Sequence, residues 1–156
     1  MTTERGVTLV EMVIVVALMG LLVGITFPSV TAGIDSLRMS SATDSIVSFL
    51  NGAMNRAERR QEVIEVTISP GEDTLGLRSS APGFQRTLEL PDGVDIRGVL
   101  PRSPLEPSDA PRRILLFPGG AIPGFGIELV NRRGTRRIVS VDPIVGAPRV
   151  ETPSAR

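Results

Sequence analysis

One stretch near the start of the chain limits what this sequence can fold into more than any other feature. Residues 7–27 carry a single charged side chain, Glu11. As an α-helix this stretch would be about 30 Å long, which matches the hydrocarbon core of a bilayer. A single domain in a chain of 156 residues is too small to surround a helix that is apolar on every side. We therefore predict a transmembrane helix over residues 7–28.

A cleaved secretory signal peptide is the main alternative, because it also places an apolar stretch after a charged start. Here Glu4 stands beside Arg5, and Pro28-Ser29-Val30 lacks the small-residue pattern of a signal peptidase site. The apolar stretch also exceeds the usual length of about 7–15 residues. Cleavage after the apolar stretch is therefore disfavoured.

The beginning of the apolar stretch has a distinctive order of residues, Arg5-Gly6-Val7-Thr8-Leu9-Val10-Glu11. A glycine is followed by an apolar residue and then by a carboxylate inside the apolar run. This order resembles the processing motif of type IV pilins and type II secretion pseudopilins, although Val7 stands where that family usually has Phe. The resemblance implies that residues 1–6 are a prepilin leader, which a prepilin peptidase removes by cleavage between Gly6 and Val7. It also implies N-methylation of Val7.

Glu11 places a charge where it needs a partner. An ionised carboxylate at the centre of a membrane helix costs on the order of 2.5–3.5 kcal/mol, and less near a helix end. Cleavage would create an α-amine at Val7, which in a staggered bundle would meet the Glu11 carboxylate of a neighbouring subunit. We predict that Glu11 acts in subunit assembly through this pairing. The simpler alternative is a side chain that reaches to the membrane surface.

The helix is expected to kink at Pro28, because proline has no backbone N–H to donate. Many pilins also carry a helix-kinking proline at the end of their apolar stretch. Residues 29–61 then show apolar side chains at spacings of three and four, which predicts an amphipathic continuation of the helix packed on a folded body. The predicted apolar face comprises Ile34, Leu37, Ile46, Phe49, Leu50, Ala53, Met54 and Ala57.

Strand-like alternation begins after residue 62, in Val63–Ile68, and Pro70-Gly71-Glu72-Asp73 is typical of a turn. Further strands are predicted near residues 74–79, 84–90, 94–99, 113–117, 125–130 and 136–141. An exposed proline-rich loop is expected over residues 101–113, and a hairpin at Arg133-Gly134. The predicted fold class is α+β and pilin-like: a long N-terminal helix, half membrane-spanning and half amphipathic, packed on an antiparallel β-sheet or sandwich body at residues 62–156.

The composition narrows the chemistry that this chain can perform. It has no His and no Cys, which excludes imidazole bases, thiol nucleophiles and disulfides. Its 17 basic residues, all Arg, balance 17 acidic ones, so net charge does not indicate a general polyanion binder. We predict no enzyme activity, catalytic residue, metal or cofactor. A hydrolase or a calcium site would have to use carboxylate pairs in turns, Glu72 with Asp73 or Glu106 with Asp109.

The C-terminal half is similar to the GspH/FimT group of minor pseudopilins and minor pilins in the order of four short motifs. These are Phe117-Pro118-Gly119-Gly120, Gly126-Ile127-Glu128-Leu129, Arg137-Ile138-Val139-Ser140-Val141 and Val145-Gly146. The resemblance implies a minor pseudopilin of type II secretion, which assembles into a short filament that promotes protein export. It also implies a single-pass inner-membrane protein with a cytoplasmic N-terminus and a periplasmic body. Its implied partners are other pilins or pseudopilins, a prepilin peptidase, an inner-membrane assembly platform and membrane lipid.

Four arginines around Gly134 leave a second function open. Arg132, Arg133, Arg136 and Arg137 lie on the predicted hairpin and, in a FimT-like minor pilin, would contact DNA phosphates during uptake. No aromatic side chains alternate with them to stack on bases, and a solvated turn is the simpler interpretation. Secretion is the first hypothesis, and pilus assembly or DNA uptake is the alternative.

Overall fold

The architecture comes from a computed structural model that describes residues 7–104 and 107–152, without the side chains of residues 26–30. The chain divides into two compact units, Met1–Ser36 and Leu37–Arg156. The predicted leader, including Gly6, lies outside the described residues, and so does Glu106.

A single helix, α1, runs from Leu9 to Arg60. It begins after Thr8, whose hydroxyl accepts a hydrogen bond from the backbone N–H of Glu11 at 3.3 Å, as an N-cap does. It ends where Gln61 takes a left-handed φ of 54° and the N–H of Glu62 bonds to the carbonyl of Ala57 at 3.3 Å. The long N-terminal helix is therefore confirmed. The helix is continuous through Pro28. The kink expected at that residue remains a prediction.

In the first unit, the side chains of residues 7–25 are exposed. The large hydrophobic residues among them range from 41% exposed at Val15 to 81% at Leu9. We predicted a transmembrane helix over residues 7–28. Across residues 7–104 and 107–152, no helix has the combined length and apolar character needed to cross a membrane.

The second unit contains two antiparallel sheets of four strands each. Sheet A has the strand order β3-β2-β1-β5 and sheet B the order β4-β6-β7-β8. The strands are β1 Ile64–Ser69, β2 Thr74–Ser79, β3 Gln85–Glu89, β4 Val94–Leu100, β5 Arg112–Leu116, β6 Phe125–Asn131, β7 Arg136–Val141 and β8 Pro148–Glu151. A 3-10 turn, Pro70–Glu72, connects β1 to β2.

The predicted strands correspond to β1 through β7, with ends that agree to within one residue. A further strand, β8, was not predicted; it pairs with β7 at the edge of sheet B. Three of its four residues are exposed, so it shows no alternation of buried and exposed positions. It also begins at Pro148, and proline is tolerated at the first residue of an edge strand, where its missing N–H matters least.

One hydrophobic cluster holds the second unit together. Alternate residues of β1, namely Ile64, Val66 and Ile68, are fully buried, as are Ile127 and Leu129 of β6. They belong to the same cluster as the buried residues of α1, so helix and sheets share a single core. The buried apolar positions of α1 are Met39, Ala42, Ile46, Leu50, Ala53 and Ala57.

The predicted apolar face of α1 is wrong at its N-terminal end. Ile34 is 44% exposed and Leu37 is 72% exposed, whereas Met39 is buried. Leu37 lies nine positions before Ile46, which is about two and a half helical turns, so the two side chains point in opposite directions. Met39 lies close to a whole number of turns from Ile46 and therefore shares its face.

Candidate functional site

The start of α1 combines a cap, a charge and the predicted processing site. Val7 is 68% exposed, and Glu11 lies in the first helical turn. Thr8 and Glu11 have the Thr-x-x-Glu spacing of a capping box, and the bond from the Glu11 N–H to the Thr8 hydroxyl is its first half. A carboxylate here is also favoured by the positive end of the helix dipole. The capping role of Thr8 was not predicted, although the Thr-x-x-Glu spacing indicates it.

Most of the exposed large hydrophobic side chains among the described residues lie between Val7 and Ile25. A contiguous apolar surface of this kind marks a site of contact with protein or lipid. Together, the cap, Glu11 and this surface define the first candidate site, an assembly segment at residues 7–25.

The second candidate site is the hairpin between β6 and β7, which forms where the sequence predicted it. Its turn is closed by the N–H of Gly134, which bonds to the carbonyl of Asn131 at 2.9 Å. The Asn131 side-chain oxygen accepts bonds from the N–H groups of Arg133 and Thr135, at 3.1 and 2.9 Å. Gly134 has a φ of 79°, which favours glycine. Asn131 therefore fixes the shape of the hairpin tip.

The four arginines of this hairpin have different surroundings. The Arg132 side chain packs so closely on Gly93 that a Cβ there would lie 2.7 Å from its Nε. The Arg137 guanidinium donates to the Ser40 hydroxyl at 3.3 Å, and the Arg136 guanidinium lies 3.7 Å from a Glu128 carboxylate oxygen. Arg136 and Arg137 are consecutive in β7, so their side chains point to opposite faces of the sheet. The four guanidinium groups therefore do not share one surface.

Glu128 is a buried carboxylate that sequence analysis did not identify as important. It is 7% exposed and forms ion pairs with both Arg102 and Arg136. Its neighbours Ile127 and Leu129 face the core, and strand alternation places Glu128 on the other face of sheet B. A negative charge beside Arg136 reduces the attraction of this hairpin for phosphate.

Two pairs of carboxylates were considered for a hydrolase or calcium site, and the structure describes Asp73 of the first pair in detail. Asp73 has a φ of 52°, and its carboxylate accepts a hydrogen bond from the N–H of Ile96 at 2.7 Å, which is a structural role. Glu106 lies outside the described residues. Within residues 7–104 and 107–152, no three His, Cys, Asp or Glu side chains converge as metal ligands would.

The class of protein follows from the architecture and the motif. A long N-terminal helix joined to an antiparallel β-sheet body is consistent with the pilin-like fold. Residues 1–27 match the family model described as the prokaryotic N-terminal methylation motif. This match supports a type IV pilin-like protein that is processed and methylated at its N-terminus. Comparisons with curated proteins and with solved structures gave no match, so the similarity to the GspH/FimT group stays a prediction.

Proposed function

We propose that this chain is a minor pseudopilin of a type II secretion system, anchored in the inner membrane and assembled into a short periplasmic filament. The observation that carries the proposal is the methylation motif at residues 1–27. The exposed apolar surface from Val7 to Ile25 supports it, because such a surface needs lipid or neighbouring helices to cover it.

The residues of the assembly segment would act in sequence. Removal of residues 1–6 exposes the amine of Val7, and methylation modifies it. The apolar side chains hold the subunit in the membrane until it is extracted into the filament. Glu11, in the first turn of α1, then pairs with the Val7 amine of a neighbouring subunit, which neutralises both charges.

The processing step is tested by coexpressing the full chain with a prepilin peptidase and measuring the mass of the product. We expect the loss of residues 1–6 and a methylated amine at Val7, and we expect Gly6→Ala to block both changes. A chain whose mass is unchanged by the peptidase would refute the proposal.

Type II secretion is distinguished from a pilus or competence function by deleting the gene and measuring two phenotypes in parallel. We expect secretion of extracellular enzymes to be lost and natural transformation by DNA to be unaffected. The wild-type gene should restore secretion, whereas the Gly6→Ala gene should not. Intact secretion together with lost transformation would favour a pilus or competence function instead.

A FimT-like minor pilin that binds DNA is the second candidate, because Arg132, Arg133 and Arg136 are exposed on one rigid hairpin. Phosphate contacts of this kind weaken steeply as salt concentration rises. The test measures binding of the full chain in detergent to duplex DNA across salt concentrations, for the wild type and for a variant with the four hairpin arginines changed to Gln. A matched control changes Arg59 and Arg60, at the end of α1. Salt-sensitive binding that only the hairpin variant loses would favour DNA uptake.

A further inference from the structure

Three segments of the second unit meet at one of its ends. They are residues 38–40 of α1, the turn between β3 and β4 at residues 90–93, and the hairpin between β6 and β7 at residues 131–137. The Arg38 guanidinium donates to the carbonyl of Asp92 at 3.3 Å. The N–H of Arg132 donates to the carbonyl of Gly93 at 3.2 Å. The turn therefore joins α1 to the hairpin, and we call the combined surface the arginine end.

The arginine end carries an excess of positive charge. Its three segments contain five arginines and a single acidic residue, Asp92. Arg136 lies on the other face of sheet B, where it pairs with Glu128. Two of the remaining arginines are exposed at the hairpin and two are half-buried. In that order they are Arg132, Arg133, Arg38 and Arg137.

The contacts of the two half-buried arginines orient their side chains but leave their charge in place. Arg38 donates to a backbone carbonyl, and Arg137 donates to the Ser40 hydroxyl at 3.3 Å. Both acceptors are neutral. A guanidinium has five N–H donors, and its planar shape matches the oxygens of a phosphate. These two arginines are therefore positioned by the fold and have further donors for an anionic ligand.

The charges near this end of the unit are segregated. Four carboxylates line a depression beside the turn, and none of the four arginines is among its described lining residues. The carboxylates belong to Glu72, Glu89, Asp92 and Asp95. At physiological salt, exposed charges act on each other only within about 8 Å. An anionic surface would therefore be attracted by the arginines and repelled by the depression, which favours one orientation of the body.

Chain connectivity limits how far the arginine end can lie from a membrane that holds residues 7–28. Arg38 follows Pro28 by ten residues, and ten residues span at most about 35 Å even when fully extended. A tether of this length gives the arginine end a high effective concentration at the lipid surface. Each arginine near an anionic membrane adds to the attraction.

We propose that the arginine end binds the phosphate headgroups of anionic phospholipids in the membrane that holds residues 7–28. The contact would keep the body of an unassembled subunit on the membrane until the subunit is extracted. Duplex DNA offers the same phosphate chemistry, but the tether favours lipid alone, and the three segments contain no aromatic residue to stack on bases. The inference rests on the proposed function in one respect, that residues 7–28 lie in a membrane.

The test measures how close the hairpin lies to a bilayer. The natural chain has no cysteine, so Thr135→Cys, at an exposed position beside Gly134, gives one site for a fluorescent donor. The full chain is placed in lipid nanodiscs with an acceptor on the headgroups, made of phosphatidylcholine or of its equal mixture with phosphatidylglycerol. We expect energy transfer to be about twofold higher with the anionic lipid. The increase should disappear at about 1 M salt, where the screening length is about 3 Å.

Two matched pairs of substitutions identify the arginines responsible. Arg132→Gln with Arg133→Gln should remove most of the increase, since each arginine is expected to contribute about fivefold to the attraction. Arg59→Gln with Arg60→Gln, at exposed positions in the last turn of α1, should leave it unchanged. Equal transfer in the two lipids, persistence in the hairpin variant, or equal loss in both variants would each overturn the inference. Hairpin-dependent binding of duplex DNA in that case would assign the arginines to DNA.

Co-elution of the chain with the nanodiscs separates this inference from the proposed function. A chain that enters nanodiscs of neither composition would contradict the membrane anchoring and this inference together. A chain that enters both, with the same energy transfer in each, would overturn only the lipid contact of the arginine end.

Discussion

Arg56 shows how a single side chain connects the end of α1 to the strands that follow it. Its guanidinium lies 3.7 Å from the centre of the Phe84 ring, and one of its nitrogens lies 3.5 Å from the Glu62 carboxylate. The same carboxylate accepts a hydrogen bond from the Ser79 hydroxyl at 2.5 Å. The Arg56 Nε is buried and has no hydrogen-bond partner among the described residues. The Phe84 ring and the Glu62 carboxylate are therefore the two contacts shown for this guanidinium, and a cation–π contact of this kind is worth about 0.5–2 kcal/mol.

Replacing Phe84 tests this cation–π contact. We expect Phe84→Leu to lower the free energy of unfolding by about 1 kcal/mol, because Leu keeps an apolar side chain but has no ring electrons for Arg56. The measurement is urea unfolding of the full chain in detergent. The matched control is Phe117→Leu, at a position 52% exposed, where a change within about 0.5 kcal/mol is expected. Equal losses at the two positions would contradict the role of Arg56.

At the scale of elements, α1 consists of two stretches that differ in how their side chains are exposed. Its residues up to Ile25 are exposed all round, whereas from Met39 onward one face enters the shared core. Because the helix turns by about 100° per residue, Leu37 lies on the opposite side of the helix from Ile46 and does not belong to that face. Leu50 is 0% exposed and Leu37 is 72% exposed. This difference shows which side of α1 faces the core.

These two leucines allow one substitution to be compared at two positions of the same helix. We expect Leu50→Ala to lower the free energy of unfolding by about 2–5 kcal/mol, because it leaves a cavity in the core. Leu37→Ala should change it by no more than about 0.5 kcal/mol. Both are measured by urea unfolding of the full chain. A large loss at Leu37 would show that the face predicted from the sequence was correct after all.

The hairpin between β6 and β7 depends on Asn131, which is 7% exposed. Asn131→Ala removes the acceptor for two backbone N–H groups, so we expect a loss of about 1–3 kcal/mol in the free energy of unfolding. Asn131→Asp keeps an acceptor oxygen at the same place and should retain most of the stability. Hydrogen exchange at the N–H groups of Arg133 and Thr135 provides the local measurement, and faster exchange is expected only in Asn131→Ala. Unchanged exchange would contradict the role of this side chain.

At the scale of the whole molecule, the two units carry different features. The unit at residues 1–36 carries the methylation motif and the exposed apolar segment, and the unit at residues 37–156 carries the core and both sheets. In the proposed function, the first unit would place the subunit in the membrane and filament. Glu11 has one observed contact and one predicted role: its N–H bonds to the capping hydroxyl of Thr8, and its carboxylate is the predicted partner of a neighbouring amine.

Two substitutions at Glu11 separate these roles. Gln can occupy the same position of a capping box but has no charge. Ala can neither complete a capping box nor carry a charge. If charge pairing drives assembly, Glu11→Gln and Glu11→Ala should both enter the membrane normally and both be depleted from filaments. The measurement is the fraction of each variant in sheared filaments relative to membranes. Normal incorporation of Glu11→Gln with loss of Glu11→Ala would assign the residue to capping instead of pairing.

Local patterns in the sequence determined the long helix, seven of the eight strands that the structure describes, the hairpin at Gly134 and the processing motif. Each of these depends on a periodicity or a spacing within a few residues, so it can be recognised without knowledge of neighbours. Only the tertiary structure decided that β5 pairs with β1 rather than with β4, that β8 adds to sheet B, and that Glu128 is buried between two arginines. The phase of the buried face of α1 and the contact between the loops at Gly124 and Pro143 were decided in the same way. These features depend on contacts between residues far apart in the chain, which packing and strand pairing select and which no local pattern encodes.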